Sequence, residues 1–189
     1  MEADWEFELG EGAPVIEAQW QGFSDLRARP EDVNRLAEAT RFPPLREELL
    51  QLNASASPVW TSKCDFFSAL EPGDFDADEL DAPREQAAHA VGCYIDLLPR
   101  SEAQWTVPEM AAAWTKGSCE RLKAIPLRNC RVDLVIRRAV LPPDENSLGI
   151  TAYFTACGGA TADAERALAA ALAAFADTVA PARERAHLN

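Results

Sequence analysis

Nine residues form a chemically useful set only if a folded sheet gathers them on one face: Lys63, Asp65, Tyr94, Asp96, Arg131, Asp133, Arg137, Tyr153 and Thr155. Each falls on the polar side of an alternating apolar–polar run, the period-2 pattern of a half-buried strand. Two tyrosines among mixed charges suit recognition of a polar small molecule or of a protein segment, because Tyr and Arg are enriched at binding hot spots. The competing reading is the ordinary wet face of an antiparallel sheet. Nothing in this set assigns a catalytic role.

Two further patterns invite chemistry. Asp74 to Glu85 places acids at positions 1, 3, 5 and 12 of a twelve-residue frame, as in a calcium-binding EF-hand loop. Position 6, where such a loop turns on glycine, is Glu79; position 8 is Asp81, and Glu71-Pro72-Gly73 precedes it instead of a helix. A solvated acidic loop is the better reading. Of the five cysteines, Cys64 and Cys93 fall among apolar neighbours as small hydrophobes. Cys157 falls on the polar side of its strand, before Gly158-Gly159 and a helix start, where a thiolate is favoured. The two histidines, His89 and His187, supply it with no evident base. The cysteine spacing fits neither a zinc site nor a secreted disulfide framework. Phosphate-loop, dinucleotide and nucleophile-elbow motifs are absent from the sequence. We therefore expect no metal site and no cofactor.

The strands that must position the polar set are read as follows. Val59 to Phe67 and Ala90 to Leu98 alternate. So do Val132, Leu134 and Ile136 against Arg131, Asp133 and Arg137. After a break at Pro142–Ser147, Leu148, Ile150, Ala152, Phe154 and Ala156 alternate with Thr151, Tyr153, Thr155 and Cys157. Near the start, Trp5, Phe7 and Leu9 followed by Gly10–Pro14 and by Ile16, Ala18 and Trp20 read as a hairpin. Helices are expected from Pro30, stopping at Pro43-Pro44; from Leu45 to Asn53; and from Thr106, where Glu109 completes a capping-box spacing. The last helix carries Leu168, Leu172, Phe175 and Val179 on one face. Burying those four side chains is worth roughly 6–12 kcal/mol before entropy is subtracted.

The order predicts an α+β fold: an antiparallel or mixed sheet of about six strands, in three hairpins, with helices mainly on one face. Residues 1–180 are expected to form a single domain with sub-units 1–57, 58–127 and 128–180, followed by a polar tail, 181–189. A net charge of −13 opposes binding to nucleic acid and to anionic membranes. No apolar run is long enough to span a bilayer, and the N-terminal residues lack a signal-peptide pattern, so a cytoplasmic location is expected. The functional expectation is a non-enzymatic acidic binding module: a regulatory, chaperone-like or neutralising protein that meets a protein partner or self-associates. The alternative is a small-molecule or enzymatic site, on the polar sheet face or in a pocket near Trp60, Trp105 and Trp114.

Overall fold

The computed structural model describes residues 1–71, 73–101, 105–142 and 144–181, with side chains at all of these except 144–146. The expected polar tail lies, apart from Pro181, outside the described residues.

Six strands form one mixed sheet: β1 (Glu2–Glu8), β2 (Ile16–Glu17), β3 (Val59–Phe67), β4 (His89–Pro99), β5 (Cys130–Leu141) and β6 (Asp144–Gly158). Across the sheet the order is β1-β5-β6-β4-β3, and β2 also pairs with β5. Among the described residues the α-helices are α1 (Ala37–Arg41), α2 (Pro43–Asn53), α3 (Pro108–Lys123) and α4 (Thr161–Val179). This is the α+β class expected. Among the described residues no helix is long and apolar enough to cross a membrane.

Two of the expected hairpins form: β3 with β4, and β5 with β6, both antiparallel. The first does not. β1 and β2 do not pair with each other; both run parallel to β5, β1 against Arg131–Arg137 and β2 against Ala139–Val140. The Gly10–Pro14 turn therefore links two successive stretches along one partner instead of reversing the chain. Alternation shows which residues share a face, but it does not show which strand they pair with.

The expected helix from Pro30 is a 3-10 segment, Pro30–Arg35, separated by extended Leu36 from the short α1. Pro43 ends that stretch and also opens α2, since proline at the first helical position loses no hydrogen bond. Thr106 does not cap α3. Val107 holds that position, and the Thr106 hydroxyl points to the Met110 sulfur at 3.4 Å.

The main core lies between the helices and the face of the sheet carrying Val91, Ile95, Val132, Leu134, Ile136, Phe154 and Ala156. α4 lies on that face. Its Leu168, Leu172, Phe175 and Val179 are all buried, and Phe175 meets Phe154 edge-on at 5.2 Å. The turn from β6 into α4 is tight enough to demand glycine: a Cβ on Gly158 would lie 2.5 Å from the Ala164 nitrogen. Trp105 and Trp114 pack together on this helix side. Trp60 belongs to a separate cluster with Ile16, Ala18, Leu98 and Ala139, so these tryptophans form no common pocket.

Both outer strands carry side chains on their edge groups. The Trp5 amide donates to the carboxylate of Asp4, and the Phe66 amide donates to that of Asp65. On β3, Arg41 donates to the Phe66 carbonyl and Trp20 to that of Ser62.

Candidate functional site: a walled polar trough

The face opposite the helices is not an open wet surface. Two loop segments fold onto it from opposite ends. At one end, residues 16–23 cross the sheet, and Ile16, Ala18 and Phe23 cover Trp60 and Leu98. Ile16 comes so close that a Cβ on Gly149 would lie 2.8 Å from its Cδ1. Trp20 is fixed beside β3 by its indole bond to the Ser62 carbonyl, and Ser62 in turn donates to the Glu17 carbonyl. At the other end the acidic loop folds back, burying Leu80 and Ala82 against Ala90 and Cys157.

The acids of that loop are spread among different partners. Asp74 accepts from the Glu71 amide and Asp76 from the Asp78 amide. Asp78 approaches Arg84, Asp81 approaches Arg128 at 3.5 Å, and Glu79 approaches Arg131 at 3.3 Å. Among the described residues no group of three or more His, Cys, Asp or Glu is placed to hold a metal ion. Cys157 lies beneath the loop, fully buried, and burial pushes its thiol up. Burial also pushes up Cys64, to about 12, and Cys119 and Cys130, each to about 11. Among the described cysteines these shifts disfavour the nucleophilic thiolate.

Between the two arms the sheet floor is laid out in rows by register. Asp4, Asp133, Tyr153, Tyr94 and Asp65 lie side by side across β1, β5, β6, β4 and β3. The rings of Phe67, Tyr94 and Tyr153 follow one another at 6.2 and 6.0 Å. All nine polar residues singled out from the sequence lie on this face. A cleft of about 560 Å³ beneath Trp20 is lined by Lys63, Tyr94, Asp96, Arg137 and Tyr153, with Glu17 and Val15 on the arm. A second, of about 610 Å³, is lined by Arg131, Asp133, Arg137, Tyr153 and Thr155, with Asp4, Glu6 and Glu8 on β1. Arg137 and Tyr153 belong to both, so the two clefts form one trough. Asp65 lines a smaller pocket on the other side of Trp20.

A hydrogen-bonded chain runs through the middle. Glu8 accepts from the Arg137 Nε at 2.8 Å and also from Nη2. Arg137 Nη1 donates to the Tyr153 hydroxyl at 2.9 Å and to the Thr151 hydroxyl at 3.2 Å. Thr151 donates to Asp96 Oδ1 at 2.6 Å. Only 9% of Arg137 is exposed. Burial works against its charge, but the bonds from Glu8 and Tyr153 outweigh that and hold its pKa above the usual value. Arg131 is set in the same way by Asp133, Glu79 and Asp4. Burial raises Asp96 and Asp133 above the usual carboxylate range, although Thr151 and Arg137 pull Asp96 back and Arg131 pulls Asp133 back. Tyr94 is pushed up by burial and by the nearby Asp96 and Asp65 carboxylates, so it remains a neutral hydroxyl.

Among the described residues, Thr151, Trp20, Glu17 and the β1 acids Asp4, Glu6 and Glu8 also belong to the trough and were not among the expected nine. Thr151 follows from alternation, since it shares the parity of Tyr153 and Thr155. The others reach the trough only because β1 and β2 both lie along β5. Comparison with protein-family models, with curated proteins and with solved structures returned no match.

Proposed function

We propose that the protein is a non-enzymatic binding domain whose trough receives an extended, basic segment of a protein partner. The observation that carries this reading is the charge of a recess walled at both ends. Among the described residues six acids line its two clefts (Asp4, Glu6, Glu8, Glu17, Asp96 and Asp133), with Asp65 and Glu79 at its margins, against three bases, Lys63, Arg131 and Arg137. Arg131 and Arg137 are already paired within the fold, so the field left for a partner is negative. The chain as a whole carries −13. Such a field steers a basic partner and repels acidic ones. Aromatic rings on the floor add contact area of the kind found at binding hot spots.

The test is a titration with a labelled basic peptide and its acidic counterpart at low and high salt. Basic peptide alone should bind, with affinity falling as salt rises. The combined variant Glu6→Gln, Glu17→Gln, Asp65→Asn should weaken it. Neutralising Glu31, Glu47 and Glu120, on helical segments, removes the same number of charges and should have a clearly smaller effect. Equal effects from the two triple variants would sink the proposal.

The volume of the cleft beneath Trp20 suits a small molecule as well, since ligand pockets run about 300–1,000 Å³. Native mass spectrometry of gently isolated protein separates the readings. A second polypeptide supports the segment, whereas a retained mass of a few hundred daltons supports the small ligand.

A further inference from the structure

General acidity of the trough does not account for two features of the cleft beneath Trp20. Its floor carries a carboxylate that is only half used. Asp96 Oδ1 takes the Thr151 hydroxyl at 2.6 Å, and Oδ2 has no hydrogen bond among the described residues. A cation also already stands there: Lys63 Nζ lies 5.8 Å from the centre of the Trp20 ring. Its charge acts on Asp96, yet among the described residues it forms no ion pair. β3 shifts register between Thr61 and Cys64, where two residues oppose one on β4. A bulge of this kind re-aims a side chain, and here Lys63 lines the cleft.

A single carboxylate oxygen beside an aromatic wall matches an ammonium group. A guanidinium fork needs both oxygens for its bidentate grip. Resting on the reading of the trough as the seat of a basic segment, we infer that this cleft anchors one lysine side chain of the partner, between Trp20 and Asp96. Lys63 fills the place in the free protein as an internal stand-in. Two ammonium groups repel one another at this range, so the incoming lysine displaces Lys63, which is exposed and swings out into solvent. The site therefore has a built-in competitor, and removing a positive charge strengthens binding more when that charge is Lys63 than when it is elsewhere.

The probe is a fluorescein-labelled, N-acetylated hexalysine peptide, followed by anisotropy on the full chain at about 20 mM salt, where screening is weak. Lys63→Met should tighten binding about fivefold, and Asp96→Asn should weaken it about fivefold, the scale of one aromatic or ionic contact to a cation. Lys116→Met, an exposed lysine of α3, makes the same change in net charge and should shift affinity less than twofold. Glu6→Gln, at a trough acid outside this cleft, should weaken binding, but less than Asp96→Asn does. A hexa-arginine peptide should gain less from Lys63→Met than hexalysine does. If Lys63→Met matches Lys116→Met, or Asp96→Asn matches Glu6→Gln, while the unaltered protein still binds hexalysine, the anchoring pocket is wrong and the trough reading stands. If neither the unaltered protein nor Lys63→Met binds hexalysine, both are wrong. Asp96→Asn and Lys63→Met preserve shape, and thermal melts of each confirm that affinity and not folding has changed.

Discussion

Glu48 of α2 is 9% exposed and close to Asp177 of α4 and Glu47. Burial first, then those two carboxylates, raises its pKa from 4.5 to about 7. The folded state thus prefers the protonated acid. The stabilisation is fully present below about 4.5 and disappears as pH rises through about 7. Glu48→Gln should therefore be more stable than the parent at pH 8, by on the order of 2 kcal/mol, and indistinguishable from it near pH 4. Urea melts across that range check it. Arg137 shows what alternation leaves out at this scale. The pattern places it on the polar face, but its burial and its bonds to Glu8, Tyr153 and Thr151 need the strand order. Reversing its charge would therefore destabilise the fold as well as disturb binding, and exposed Lys63 is the cleaner probe.

At the scale of elements, α4 is the best-defined piece. Phe175 faces Phe154 in the core, so Phe175→Ala should cost about 3–5 kcal/mol. A loss below about 1 kcal/mol in denaturant melts would contradict the packing described. Gly117 lies within α3, and a Cβ there would meet only the tip of Arg121 at 3.5 Å. Gly117→Ala should gain about 0.5–1 kcal/mol from helix propensity alone, read as a raised melting temperature. These elements are legible because helical spacing and strand alternation are local. The partner of the first two strands is illegible for the same reason: Trp5–Leu9 and Ile16–Trp20 alternate equally well whether they pair with each other or with a strand more than a hundred residues away. Trp20 and Glu17 enter the site through that distant pairing, and so no local signal marks them.

For the whole molecule, the sheet places one face under helices and the other between two loop arms. The acids that look like a metal loop in the sequence are divided among Arg84, Arg128, Arg131 and backbone amides. They close one end of the trough and do not form a chelating cluster among the described residues. Sequence alone places the nine polar residues on one face but not the walls, because the positions of the wall segments are fixed by distant strand pairing and by a few buried contacts such as Leu80 on Cys157 and Ile16 over Gly149.

The parallel pairing of β1 with β5 also has a consequence in time. Glu2 is held against Arg131 and Glu8 against Arg137. A ribosome makes roughly 5–20 residues per second, so β1 waits on the order of ten seconds for its partner while the chain is being built. Trp5 and Phe7 are uncovered throughout that interval, and the acidic arm and helices α1, α2 and α3 are synthesised before the trough acquires its wall of Asp4, Glu6 and Glu8. Pairing at such long sequence separation slows folding, because loop closure must come before the contacts that reward it. β1, made before the other strands of the sheet, therefore stays unpaired while β2 to β4 are built, and any chaperone that attends this chain would meet an unpaired acidic strand carrying two bare aromatics.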